Sequence, residues 1–291
     1  VFRIGIIGSD NSHAEVFSKL INLREEGSGE FLYPDCKVVS IFGLDEQRTR
    51  EVAKNADIPF ILKNPEDMIN KVDGVMVVFR HGDLHKEYAL PFIKAGIPTW
   101  IDKPFTIGVR DAEEILLYAE KYNTLVTGGS TCKYACDVIS AKKNVESGNL
   151  GRIKTGTINF TANLESEYGG IYFYGVHLLE MALEIFGYGV KFVTASKSSQ
   201  CVTAVLKYEE YQITLNFIEG LLNYHLNIIG DKRSIYKEFN ISKVYHLGLD
   251  RFIHMLRTGE QPFPLSNIYS AVKIFNAIVN SYEQRRTIEI L

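Results

Sequence analysis

Over its first 125 residues the chain alternates short, wholly apolar runs with amphipathic stretches, and this alternation constrains the fold more than any other feature. Ile4–Ile7 leads into Ala14–Leu23, where apolar residues recur at helical spacing. Val38–Phe42 leads into Gln47–Asn55, and Val75–Phe79 into Lys86–Ala95 with Gly96 as a stop. Pro98–Ile101 leads into Arg110–Tyr122, and Leu125–Gly128 closes the series. Runs that are apolar on both sides are strands covered on both faces, and helices between them make the sheet parallel. Right-handed crossovers then give a doubly wound α/β domain whose ligands lie at the carboxyl ends of the strands. The loops to inspect begin at Gly8, Gly43, Arg80 and Asp102.

Past residue 128 the pattern changes, so the expected domains are 1–127 and 128–291. A helix-like stretch, Val138–Ser147, ends at Gly148. Strand candidates follow at Ile153–Asn163, Phe192–Ser196, Thr203–Tyr208, Tyr211–Phe217 and Tyr224–Ile229, with one helix, Tyr174–Phe186, closed by Gly187. Consecutive strands joined by short turns such as Glu209-Glu210 and Gly230-Asp231 predict an α+β domain with a mainly antiparallel open sheet. Ile268–Tyr282 reads as a late helix. Ile288–Leu291 reads either as a last strand or as a tail docked on the first domain.

Composition narrows the function classes. A length of 291 residues with 46% hydrophobic and 23% charged residues is that of an ordinary globular protein of two domains or one large one. No apolar run reaches the roughly 20 residues of a membrane span. The first residues already read as strand rather than as a signal peptide. A net charge of -3 carries no basic excess for nucleic acid. Small-molecule chemistry in the cytoplasm is the expectation. Cys36, Cys132, Cys136 and Cys201 make no disulfide framework. Cys132 and Cys136 are spaced to share a helix face, but no second pair follows at zinc spacing, so no metal site is expected.

The first loop, Gly8-Ser9-Asp10-Asn11-Ser12-His13, stands where a dinucleotide fold places G-x-G-x-x-G, and keeps only the first glycine. Asp10 brings a negative charge to the place of two phosphates. Ser12 and the N–H groups of the next helix suit an anion, and Asn11 and Ser12 serve equally as turn and cap residues. The second strand ends in Gly43-Leu44-Asp45, where an adenosine-ribose site carries an acid. Its loss removes the ribose hydrogen bonds, and it also relieves repulsion against a 2′-phosphate beside Arg48 or Arg50. Asp45 is equally a helix cap.

The third loop, Arg80-His81-Gly82-Asp83-Leu84-His85, puts a cation and two histidines at the end of a parallel strand, where function concentrates. Arg80 suits a phosphate or carboxylate, and His85 is either a site residue or a cap. In the fourth, Asp102-Lys103-Pro104, proline restrains the lysine towards extended geometry. The acid can position the ammonium to donate to a substrate oxygen; the alternative is a surface lysine in a proline turn. In the second domain, Gly169-Gly170 precedes a helix carrying Tyr174, His177 and Glu180, the last two on one face.

Together these segments resemble the Gfo/Idh/MocA family of oxidoreductases (glucose-fructose oxidoreductase, inositol dehydrogenase and relatives) over nearly the whole chain. Val72-Asp73-Gly74-Val75 through His85 resembles its third strand and histidine-ended loop. Lys94-Ala95-Gly96-Ile97-Pro98 resembles its A-G-K-H segment, and Asp102-Lys103-Pro104 its E-K-P signature with one acid exchanged for another. Gly151-Arg152-Ile153 looks like the G-x-I that opens its second sheet. Gly169 to Gly187 resembles its G-G-G-x-x-x-D-x-G-x-H-x-x-D segment. The resemblance implies a Rossmann domain, a second domain whose sheet commonly makes dimer contacts, and hydride transfer between NAD or NADP and a sugar, cyclitol or related alcohol. It implies cofactor contacts from Gly8, Asp10, Asn11, Ser12, His13, Gly43, Asp45, Arg80, His81, His85, Asp102 and Lys103. Lys103 would bind substrate and orient the nicotinamide, and His177 would exchange the carbinol proton beside Tyr174 and Glu180.

The chain departs from the family pattern at three places. Position 173, the family's aspartate four residues before the histidine, is Phe173, which neither orients an imidazole nor stabilises its cation. Asp10 and His13 replace two glycines, and Gly43 replaces the ribose acid. Two other readings therefore stand beside the oxidoreductase. One is a redox-inactive member that binds a sugar-like ligand. The other is a lyase or isomerase using His13, His81, His85, Asp10 and Asp102 around the same crevice.

Overall fold

A computed structural model describes residues 1–290, which group into two units of contact. The first is Val1–Gly129 with Tyr245–Leu265, and the second is Ser130–Val244 with the residues from Ser266 onward.

In the first unit, β1 (Phe2–Ile7), β2 (Cys36–Phe42), β3 (Phe60–Ile61), β4 (Gly74–Val77), β5 (Thr99–Ile101) and β6 (Val126–Gly128) form one parallel sheet ordered β3-β2-β1-β4-β5-β6. Helices α1 (Ser12–Asn22), α2 (Glu46–Asn55), α3 (Asp83–Lys94) and α4 (Val109–Lys121) alternate with the strands. This is the doubly wound α/β order expected from the alternating runs, and it reverses between β1 and β4, so the loops leaving those two strands border the crevice. The apolar runs are strands because both faces are covered: Ile4, Ile6, Ile7, Val75, Met76 and Val77 are all fully buried. β3 was not foreseen; it is two exposed residues at the sheet edge and carries no apolar period.

The segment that returns to the first unit is a further helix, α7 (Val244–Thr258), also unforeseen because Gly248 interrupts its pattern. Leu249, Phe252, Ile253 and Met255 are buried in one core with Phe17 and Trp100. A Cβ on Gly74 would lie 2.8 Å from Leu256 Cδ2 and 3.0 Å from Phe252 Cζ, so glycine permits the close approach of helix and strand. Tyr33 Oη donates to Asp250 at 2.7 Å, and Arg257 Nε donates to Asp35 at 2.8 Å, fixing the same helix at its polar edge.

The second unit holds α5 (Cys136–Glu146), β7 (Ile153–Ala162), α6 (Tyr172–Phe186), β8 (Phe192–Lys197), β9 (Cys201–Lys207), β10 (Gln212–Glu219), β11 (Tyr224–Gly230), β12 (Ser234–Phe239), α8 (Leu265–Gln284) and β13 (Ile288–Glu289). Its sheet runs β12-β11-β7-β10-β9-β8-β13, antiparallel except for the β7–β10 pair. β13 pairs with β8, so Ile288–Glu289 form a strand of this sheet; the last residue of the expected Ile288–Leu291 stretch lies outside the described residues. β12 is an edge strand with Ser234, Tyr236 and Glu238 exposed, which leaves it no apolar run to read. Helix α6 is buried nearly all round, and a Cβ on Gly175 would lie 3.0 Å from Phe275 Cζ and 3.1 Å from Phe217 Cδ1. The opposite face of the sheet is polar and half-buried. There Thr203 Oγ1 donates to Asn216 Oδ1 at 2.8 Å, and Asn216 Nδ2 to Asn159 Oδ1 at 2.7 Å. Cys132 (buried, in a 3-10 turn) and Cys136 (exposed, opening α5) share no helix face, and all four cysteines are free thiols. Among the described residues no helix is long and apolar enough to cross a membrane.

Candidate functional site

The first-unit loops lock onto one another at the strand-order reversal. Gly8 ends β1 at φ +103°, and a Cβ there would lie 2.7 Å from Phe79 N, so no side chain fits. Its neighbour Ser9 is buried and shares a 2.8 Å hydrogen bond with Thr49. Asp10 Oδ2 accepts from the Arg80 N–H at 3.2 Å, tying the loop after β1 to the loop after β4. Its other oxygen, Oδ1, is buried with no hydrogen-bond partner among the described residues. Asn11 caps α1 by accepting from the His13 N–H at 3.2 Å, and Ser12 opens the helix exposed.

His13, Asn11 and Asp102 converge. Asp102 Oδ2 lies 2.7 Å from His13 Nδ1 and accepts from Asn11 Nδ2 at 3.2 Å, while Oδ1 has no partner among the described residues. Burial alone would raise the Asp102 pKa, but the imidazole of His13, with Lys103 and His85 behind it, pulls it below the usual carboxylate range. Lys103 is 3% exposed, so it is no surface lysine. The Lys103–Pro104 peptide bond is cis.

His81, His85 and Asp45 stand apart from that group. His85 is fully buried, with Nδ1 2.8 Å from Pro104 O and Nε2 2.9 Å from Phe79 O. It therefore braces the two loops from beneath. Burial holds its pKa below the ordinary histidine value, against the pull of those carbonyls. A Cβ on Gly82 would lie 2.7 Å from Pro104 Cγ, which joins the same two loops again. His81 Nδ1 accepts from the Asp83 N–H at 3.3 Å at the start of α3. Asp45 caps α2 through the Arg48 N–H at 3.0 Å. Arg48 pairs with Glu15 at 2.8 Å, and Arg50 pairs with Glu46. A Cβ on Gly43 would lie 2.1 Å from Ser9 Oγ, so the expected ribose acid has no room.

In the second unit, α6 carries His177 and Glu180 on one face, and both meet the segment that begins at Ser130. Ser130 Oγ lies 2.6 Å from His177 Nδ1. The Ser130 N–H donates to Glu180 Oε1 at 2.9 Å, and Lys133 Nζ donates to Glu180 Oε2 at 2.8 Å. Both oxygens of Glu180 thus hold the Ser130–Lys133 segment within the unit. Burial works against the Lys133 ammonium, but Glu180, helped by Tyr134 and Tyr188, outweighs it and raises the pKa. Tyr174 is half-buried with its ring edge-on to His177 at 5.1 Å, and burial raises its hydroxyl pKa. Phe173 packs on Tyr168 at 5.2 Å.

Ser130 and Lys133 were not singled out in the sequence. The signal was available, because Gly128 ends the last parallel strand just as Gly8 ends the first. Among the described residues no group of three His, Cys, Asp or Glu is placed to hold a metal.

Residues 2–130 match the model of an oxidoreductase family with an NAD-binding Rossmann fold, Gfo/Idh/MocA. An uncharacterized oxidoreductase of Escherichia coli, YhhX, is 30% identical over 131 residues, which cover 42% of this chain and 38% of that protein. The chain thus matches less than half the length of that relative. Glucose-6-phosphate 3-dehydrogenase of Bacillus subtilis is 23% identical over 84% of this chain and 72% of its own. A crystal structure of scyllo-inositol dehydrogenase from Lactobacillus casei, with bound NAD(H) and scyllo-inositol, superposes with a TM-score of 0.84 at 13% identity, covering 99% of both chains.

Proposed function

From a chain whose residues 2–130 match the Gfo/Idh/MocA oxidoreductases with their NAD-binding Rossmann fold, we propose an NAD-dependent dehydrogenase of that family acting on a hydroxyl of a sugar, cyclitol or related compound. The observation that carries this reading is the burial of Lys103, 3% exposed, beside the Asp102–His13 pair at the carboxyl end of β5. An ammonium withdrawn from water beside a carboxylate is placed for work, since burial without function is costly for a lysine.

The first-unit loops fit a dinucleotide. The Gly8 turn packs its main chain directly against Phe79 N, and α1 presents its first N–H groups beyond it. Asp10 is turned onto the Arg80 N–H, and its unpartnered Oδ1 would accept from a ligand hydroxyl or amide. Gly8, Asn11 and Ser12 would hold the diphosphate, with Asp102 fixing the loop through His13 and Asn11. When bound, the nicotinamide supplies the hydride acceptor. Lys103 binds and polarises the reacting oxygen of the substrate. His177, with Nδ1 engaged by Ser130, takes the carbinol proton at Nε2. Tyr174 walls the imidazole and contributes its hydroxyl to the sugar. The polar open face of the second sheet, with its Asn159–Asn216–Thr203 row, is where two copies of the chain would meet.

Fluorescence titration with NADH and NADPH tests the cofactor. Saturable binding of either supports the reading, and binding of neither overturns it in favour of a redox-inactive sugar binder. Lys103→Ala is expected to abolish NAD-dependent oxidation of a panel of inositols and hexose phosphates while leaving NADH binding measurable. Unchanged turnover would remove the lysine from the mechanism.

A further inference from the structure

We propose that Ser130 is the positioning residue of His177, holding by a hydroxyl the place that a carboxylate would otherwise fill. The proposal deepens the reading of His177 as the acid/base and rests on it for its consequence in turnover, but its geometry stands alone. Phe173 lies one turn before His177 on α6 and packs on Tyr168, so the helix itself supplies no orienting acid. The imidazole is nevertheless fixed. Ser130 Oγ sits 2.6 Å from Nδ1, with Ser130 at 0% and His177 at 6% exposure.

Ser130 is itself held rigidly. Its N–H donates to Glu180 Oε1, and its Oγ accepts from the Cys132 N–H at 3.1 Å as the cap of the 3-10 turn Thr131–Tyr134. Glu180 is anchored in turn by Lys133. The edge of Tyr174 at 5.1 Å and Phe160 at 6.3 Å close the sides of the ring. Position and orientation of the imidazole are therefore set by a group 47 residues away in the chain.

A hydroxyl differs from a carboxylate in two ways. It donates as well as accepts. When Nδ1 carries the proton, it donates to Oγ and leaves Nε2 as a base; when Nε2 carries it, the Ser130 O–H donates to Nδ1. The pair thus supports proton uptake from a carbinol and proton return to a carbonyl equally. A hydroxyl also brings no charge, so it stabilises the imidazolium less than a carboxylate does.

The test uses the full chain labelled with 15N-histidine, with long-range 1H–15N spectra recorded from pH 5 to 9. In Ser130→Ala the His177 ring shifts, which report the tautomer, and its titration midpoint are expected to move. Ser130→Thr, which keeps the hydroxyl, is expected to restore both. With NAD and scyllo- or myo-inositol or glucose 6-phosphate as probe, whichever is turned over, kcat falls roughly ten- to a hundred-fold in Ser130→Ala with KM changed little. The acid limb of the profile moves with the midpoint. Should Ser130→Ala fail to fold, Ser130→Cys, close in volume and a weaker donor, gives the same readouts. Ring shifts and midpoint equal to the parent's in the folded variant overturn the proposal. Ring shifts that move while Ser130→Ala and His177→Ala both turn over normally uphold the positioning and overturn His177 as the acid/base.

Discussion

Replacing Gly43 by alanine tests whether the missing ribose acid is a matter of packing. A Cβ at position 43 would lie 2.1 Å from Ser9 Oγ, 2.4 Å from Thr49 Oγ1 and 2.7 Å from Ser9 Cβ. Relaxed carbon contacts need about 3.5–4.0 Å, so each neighbour must retreat by roughly 0.8 Å or more. Rotating the Ser9 hydroxyl away breaks its buried 2.8 Å bond to Thr49 and still leaves Ser9 Cβ in contact. The turn after Gly8 must therefore move as well. Overpacking of this kind costs about 1–3 kcal/mol, and stranding a buried hydroxyl adds roughly 1–3 kcal/mol. With a middle value of about 4 kcal/mol and ~2–4 °C per kcal/mol for a unit of this size, the midpoint of unfolding drops by about 8–16 °C.

Trp100, the only tryptophan, lies buried in this unit and reports its melting without interference from the other. Ser9→Gly in the Gly43→Ala background removes both contacts of Ser9 and is expected to recover part of the loss, a coupling that a double-mutant cycle reads directly. Gly43→Asp is expected to destabilise like alanine and to gain no NADH affinity, although it restores the acid. A Gly43→Ala midpoint within about 0.5 kcal/mol of the parent, the range of an ordinary surface change, would refute the packing argument.

Two further outcomes follow from the same unit. His13→Ala removes the closest partner of the buried Asp102 carboxylate, leaving it the Asn11 hydrogen bond, and breaking such a pair costs about 3–5 kcal/mol at neutral pH. In the parent the depressed Asp102 pKa contributes stability above the unfolded value near ~3.9, lost as pH falls through the folded pKa. In the variant burial raises that pKa instead, so the deficit in urea unfolding should shrink between pH 7 and pH 4.5; equal deficits at both would count against the pairing. Phe252→Ala empties the contact between α7 and Trp100, whose rings lie 6.4 Å apart, and should cost about 3–5 kcal/mol by Trp100-monitored unfolding; a loss below about 1 kcal/mol would show that α7 does not belong to this core.

What could be read in the chain divides along a physical line. Strands buried on both faces announce themselves, because every residue of Ile4–Ile7 or Val75–Val77 must be apolar. The edge strands β3 and β12 do not, because half their surface faces water and nothing forbids exposed Phe60 or Tyr236 there. Helix α7 hides for another reason. Its apolar stripe of Leu249, Phe252 and Ile253 is in place, but Gly248 and the four polar or charged residues around it blur the period over so short a window. The return of this helix to the first unit is a tertiary fact that no local pattern carries.

The candidate site divides in the same way. Lys103 and His177 stand out because strand ends and glycine turns mark their positions, whereas the groups that act on them lie far off in sequence. Asp102 meets His13 across 89 residues, and His177 meets Ser130 across 47. Helical spacing correctly puts His177 and Glu180 on one face of α6, yet it does not say what that face meets. Phe173 therefore reads as a lost function only if an orienting group must sit on the same helix as the histidine. What orients an imidazole is a partner in line with Nδ1, and any element that reaches that point serves. Here the segment after β6 reaches it, with Glu180 accepting from the Ser130 N–H and the Lys133 ammonium.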